Sequence, residues 1–165
     1  MQNWLRRGIS LLVALMVLPF AALAEATPPA RNADNMPYVF DVFKGTAVDL
    51  TQYKGKAVWL NFFTGWCTYC MEEMPDIKKA FETYSTDELA VVLVHVWDGE
   101  NADDSAAVVE RFGLDGVTIV DDQDMSLAAL VNLQGYPTSI FIGKDGYLAS
   151  VAYALKYEEM AKIID

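Results

Sequence analysis

AVWLNFFTGWCTYCMEEMP, residues 57–75, decides the fold of this 165-residue chain. Its first seven residues, 57–63, form a nearly unbroken apolar run, too short for a helix of its own and suited to a strand covered on both faces. Gly65 and Trp66 then lead into a helical pattern. If the helix begins at Cys67, an advance of about 100° per residue puts Cys70, Met74, Ile77, Phe81 and Tyr84 in one stripe. That stripe must face a sheet. The spacing therefore predicts Cys70 pointing inward and Cys67 at the helix tip with its sulfur near solvent.

Working outward, LAVVLVHV at 89–96 reads as a second buried strand. Strand, helix, strand means a parallel pair joined by a right-handed crossover. A helix over 104–112 ending at Gly113 and a short strand at 117–120 follow. Next come a helix over about 126–133 stopped by Gly135, a strand TSIFI at 138–142, and a KDG turn at 144–146 leading into YLASVAY as an antiparallel hairpin. Residues 156–164 close the chain as a helix with Tyr157, Met160, Ala161 and Ile164 on one side. Upstream, 38–43 and 47–50 read as short extended pieces around a turn at Gly45. The sum is an α/β domain with a mixed central sheet and helices on both faces.

Residues 1–24 carry Arg6 and Arg7 before an apolar run and the small-residue end Ala22, Leu23, Ala24, the pattern of a cleaved export signal. An uncleaved N-terminal anchor is the alternative reading; the apolar run is short for a membrane span. Residues 25–36, with two prolines and few apolar side chains, read as a flexible linker, which leaves 37–165 as the folded domain. The expected location is the periplasm, which keeps disulfides oxidised, with no stable membrane insertion. Twelve Lys and Arg against 23 Asp and Glu, a net charge of −11, repel polyphosphate and argue against a nucleic-acid partner.

Cys67 and Cys70 are the only cysteines. Disulfide exchange needs an accessible thiolate to attack and a protected sulfur to resolve, and the predicted asymmetry assigns these roles to Cys67 and Cys70. Unpaired N–H groups and the helix dipole favour a thiolate at Cys67. Two other readings compete. A purely structural disulfide would close a very small loop and stabilise little. A thiolate pair could also bind Zn or Cu(I), with His95 as a remote third ligand, although the chain has one histidine and no further cysteine. A Cu(I)-binding chaperone, a thiol peroxidase and a non-catalytic interaction domain stay open as alternatives.

These residues in this order resemble the thioredoxin superfamily, and within it the exported proteins of the TlpA/ResA/DsbE type, over about residues 36–164. The strand, the Trp-Cys-x-x-Cys loop and the helix with Pro75 are one half of the resemblance; GYPTSIFIGKDG, at 135–146, is the other. The resemblance implies a thioredoxin-like fold and a cis bond between Tyr136 and Pro137. It also implies an enzyme, a thiol-disulfide oxidoreductase acting on exported protein thiols or disulfides, usually as a disulfide reductase that supports cytochrome c maturation or keeps particular exported thiols reduced, fed by a membrane electron donor. No organic cofactor and no resident metal are expected beyond the Cys67–Cys70 disulfide. Glu73 is implied as proton acceptor for the cysteine pair. Pro137 is implied to sit against the cysteines, with the Tyr136 backbone open to an extended substrate. Trp66 is expected to shield the cysteines and form part of the docking surface. Asn61 is expected to satisfy local backbone groups, and Trp59, Phe62 and Phe63 to be core.

Overall fold

The computed structural model describes residues 30–99 and 102–165, with the side chains of 102–104 left aside; the expected export signal and the start of the expected linker lie outside the described residues. Five strands form one sheet: β1 (Ala57–Phe63), β2 (Leu89–Val96), β3 (Thr118–Asp122), β4 (Thr138–Ile142) and β5 (Leu148–Ala152), in the order β3-β2-β1-β4-β5. β1 pairs parallel with β2 and β2 with β3, whereas β4 runs antiparallel to both β1 and β5. The sheet is mixed and β1 lies at its centre, as its apolar run requires: all seven of its residues are buried.

Alternate residues of the strands feed two cores. Val58, Leu60, Phe62, Val92, Val94, Ile140 and Ile142 point to a face closed by α3 (Ser126–Leu130) and by Phe40, Phe43 and Leu50 from the segment before β1. Trp59, Phe63, Val91, Leu93 and Phe141 point the other way, toward α1 (Thr68–Thr83), α2 (Ala102–Phe112) and α4 (Tyr157–Ile164), which supply Met74, Ile77, Val108 and Met160. Helices therefore cover both faces. Each fully buried Leu, Ile, Phe or Met in these layers is worth about 1.5–3 kcal/mol of transfer free energy.

Four local expectations change. The helix after the cysteine loop starts at Thr68, with Cys67 as its N-cap. α3 stops at Leu130, well before Gly135. Asn132 takes a left-handed φ of 51°, Leu133 N–H bonds back to the Ala128 carbonyl and Asn132 N–H to that of Ala129. This double bond pattern with asparagine in the left-handed position ends the helix. Residues 40–43 and 47–50 are not extended: Phe40 and Phe43, three apart, are both buried in a succession of turns, and Leu50–Tyr53 forms a single 3-10 turn capped by Asp49. Only Pro37 to Val39 run alongside the sheet, bonding to Gly146 and Leu148. Finally, residues 30–36, expected as linker, form a closed turn, with Asn32 N–H on the Met36 carbonyl and Tyr38 N–H on that of Ala30.

The hairpin between β4 and β5 shows why glycine is needed at 146. Its φ is +83°, and a Cβ there would lie 2.5 Å from the Tyr38 ring.

Candidate active site

The parallel pairing sets Phe63 beside His95, and the antiparallel pairing sets Phe62 beside Thr138. The loop leaving β1, which carries the cysteines, thus meets the loop entering β4, which carries Tyr136 and Pro137. The Tyr136–Pro137 bond is cis.

Cys67 and Cys70 are joined in a disulfide across the first turn of α1, with Cα atoms 5.2 Å apart. Cys67 Sγ also accepts the Cys70 backbone N–H at 3.2 Å, so the sulfur itself caps the helix. The free N–H groups of a helix start favour negative charge on that sulfur once the bond is reduced. The expected exposure is corrected: Cys67 is only 5% exposed and Cys70 0%, because both sit in the apolar layer that Met71 and Tyr136 pack against. The asymmetry survives in direction, with Cys67 the outer sulfur.

Trp66, next to Cys67 in the chain, is 59% exposed. Its indole N–H donates to the Asp98 carbonyl at 2.9 Å, and its ring meets Tyr136 edge-on at 5.9 Å. On one side of this aromatic pair lies a groove of about 480 Å³ whose wall includes Met125, Leu133 and Tyr136. On the other lies one of about 360 Å³ bounded by Met71, Val108 and Arg111. Tyr69 stands exposed beside the disulfide on the first turn of α1. The predicted residues Trp66, Cys67, Cys70, Tyr136 and Pro137 therefore cluster at one end of the sheet.

Glu73 lies one turn beyond Cys70 on the inner side of α1 and is 2% exposed, deeper than the edge position expected of it. One carboxylate oxygen accepts the Leu155 backbone N–H and the other the Asn61 Nδ2 N–H, each at 2.9 Å. Burial pushes the carboxyl above the ordinary glutamate range; the two hydrogen bonds oppose that rise without cancelling it, Asp76 adds to it and Lys156 works against it. A buried carboxylate held in this way takes up a proton more readily than an exposed glutamate does.

Asn61 corrects another expectation. Its side chain does not serve the backbone: its Nδ2 also donates to Ser139 Oγ at 3.0 Å, and Ser139 Oγ accepts the Trp59 indole N–H at 2.9 Å. Trp59 is core as expected, yet its N–H belongs to this polar chain. Ser139 and Leu155 were missed in the sequence. One signal was there, since Asn61 interrupts the otherwise apolar β1 and Ser139 follows Thr138 at the polar start of β4, and a buried polar side chain demands a partner.

His95, buried at the α1 face, places Nδ1 2.9 Å from Asp121 Oδ1 and packs against Phe63. Among the described residues no three of His, Cys, Asp and Glu come together as a ligand set. No helix among them is long and apolar enough to cross a membrane.

Comparison with known proteins agrees with this geometry. The chain is 30% identical over 154 residues to the thiol-disulfide oxidoreductase ResA of Geobacillus thermodenitrificans, covering 91% of this chain and 87% of that one. A secreted disulfide oxidoreductase of Mycobacterium tuberculosis homologous to E. coli DsbE shares the fold, with a TM-score of 0.63 at 21% identity over 71% of this chain and 86% of that one. A DsbF homologue from Corynebacterium diphtheriae superposes with a TM-score of 0.60 at 28% identity, over 72% and 76% of the two chains. The AhpC/TSA family profile matches residues 34–151. The chain belongs to the AhpC/TSA family, and with its thioredoxin-like sheet and Cys67–Cys70 pair it is a thiol-disulfide oxidoreductase of the ResA type.

Proposed function

We propose that this oxidoreductase works as a disulfide reductase on exported proteins in the periplasm, cytochrome c maturation being the process implied by its resemblance to TlpA/ResA/DsbE-type proteins. The observation that carries the reading is the Cys67–Cys70 disulfide at the start of α1 with the buried Glu73 one turn beneath it. In the reduced protein the Cys67 thiolate attacks one sulfur of a substrate disulfide. That bond breaks, its other sulfur leaves as a thiolate and takes a proton, and Cys67 is held to the substrate in a mixed disulfide. Glu73 accepts the proton of the Cys70 thiol; the resulting thiolate attacks Cys67, the Cys67–substrate bond breaks, and the second substrate sulfur leaves as a thiolate that takes a proton from solvent, while Glu73 returns its proton to solvent. The substrate gains two electrons and two protons, and Cys67–Cys70 is left oxidised. A membrane electron donor must then return the two electrons. The exchange runs on sulfur alone and needs no organic cofactor or metal.

Trp66, Tyr136 and Pro137 form the docking end. Substrate backbone pairs beside Tyr136, and the grooves flanking the aromatic pair receive side chains on either side of the substrate cysteine. Trapping tests the reading. Cys70→Ala should accumulate a mixed disulfide through Cys67 with exported proteins, while Cys67→Ala traps almost nothing. Equal trapping by the two variants would overturn the division of labour.

A further inference from the structure

The chain of buried hydrogen bonds behind Glu73 extends past the residues that the proposed mechanism uses. Asn61 and Ser139 face each other directly in the antiparallel pairing of β1 with β4, on the α1 side of the sheet, and both are 0% exposed. Asn61 has two amide N–H groups and both are used, one on Glu73 and one on Ser139 Oγ. Its Oδ1 has no partner among the described residues. An unpaired buried carbonyl oxygen is a lesser defect than an unpaired N–H, which favours this orientation.

A primary amide fits the same space in either of two orientations. With N–H toward Glu73 it suits a carboxylate, which can only accept. Reversed, its oxygen would face the carboxyl and require a proton on Glu73 between them. The orientation of Asn61 and the protonation of Glu73 are therefore coupled, and the second contact of the amide decides which orientation wins. That contact is the Ser139 hydroxyl, itself held by the Trp59 indole N–H at 2.9 Å.

We infer that Ser139 is a positioning residue: by accepting the second N–H of Asn61 it keeps the amide turned N–H-first toward Glu73, and so keeps Glu73 free to take up a proton. The consequence for catalysis rests on the role of Glu73 proposed above; the consequence for Glu73 itself does not. The charged groups facing Glu73, Asp76 on α1 and Lys156 before α4, stay in place in every variant below.

The test follows the Glu73 carboxyl carbon by NMR titration in the oxidised full chain, alongside the pH profile of disulfide reduction. Ser139→Ala should raise the Glu73 midpoint by about half to one pH unit, the size of one net hydrogen bond. The acid limb of the rate profile should move with it. Ser139→Thr, which keeps a hydroxyl, should restore the wild-type midpoint. If Ser139→Ala alone leaves too little folded protein because the Trp59 N–H is orphaned, Trp59→Phe/Ser139→Ala removes donor and acceptor together and should give the same shift. An unmoved Glu73 midpoint, or equal shifts in the Ala and Thr variants, overturns the inference. A midpoint that moves while the rate profile stays still upholds the positioning by Ser139 and refutes instead the catalytic use of Glu73.

Discussion

Replacing Glu73 by Gln should change how stability depends on pH, in a direction the structure determines. Glu73 is buried at 2% exposure with its carboxylate on Leu155 N–H and Asn61 N–H, and its proton affinity is raised because lost hydration outweighs those two bonds. A carboxyl whose folded midpoint lies above its unfolded one binds more protons in the native state. Its contribution is complete below the ordinary glutamate value of 4.5 and is lost as pH rises through the folded midpoint. Across that window one proton is at stake, so wild-type stability should fall by up to about 1.4 kcal/mol per pH unit relative to the variant. The substituted glutamine carries no charge at any pH; it keeps an acceptor for Leu155, and Asn61 can turn its unpaired oxygen toward the new amide. The variant's own curve lacks this slope. Urea unfolding of the oxidised proteins from pH 4 to 8 measures the difference, and with urea m-values of about 1–3 kcal/mol/M the two midpoints should diverge by up to roughly 0.5–1.4 M per pH unit inside the window. If wild type and Glu73→Gln run parallel from pH 4 to 8, Glu73 titrates normally and burial is not what governs it.

Other perturbations probe the frame around the cysteines. Trp66→Ala removes the bond to the Asp98 carbonyl and the edge contact with Tyr136, and should slow mixed-disulfide formation with a peptide disulfide several-fold in stopped-flow mixing. Because Trp66 is largely exposed, the cost in unfolding free energy should stay within about 1 kcal/mol. Asp122→Ala leaves the Leu127 and Ala128 N–H groups at the start of α3 without their buried carboxylate, and should cost about 2 kcal/mol in urea unfolding. Gly146→Ala forces a side chain onto a φ of +83° against the Tyr38 ring, and should cost about 2–4 kcal/mol by the same measurement.

The sequence by itself determined what depends on neighbours along the chain. The apolar runs at 57–63 and 89–96 are buried strands, and the stripe from Cys70 through Met74 and Ile77 faces the sheet, because strand and helix periodicities are local and burial follows them. The cysteine pair lies at a helix start for the same reason. Segments without such a period were misread: Phe40 and Phe43 anchor turns, not strands, and α3 ends at an asparagine whose left-handed backbone its residue type permits but does not announce. Only the tertiary structure decided the surroundings of the chemistry. Glu73 is held by Asn61 and Leu155, 12 and 82 residues away in the chain, and Asn61 reaches Ser139 across 78. The burial of Cys67 and the meeting of Trp66 with Tyr136 likewise arise when the β1 and β4 loops converge. Hydrogen-bond partners and desolvation are properties of three-dimensional proximity, and the pairing of β1 with β4, strands nearly eighty residues apart, is not specified by any local periodicity.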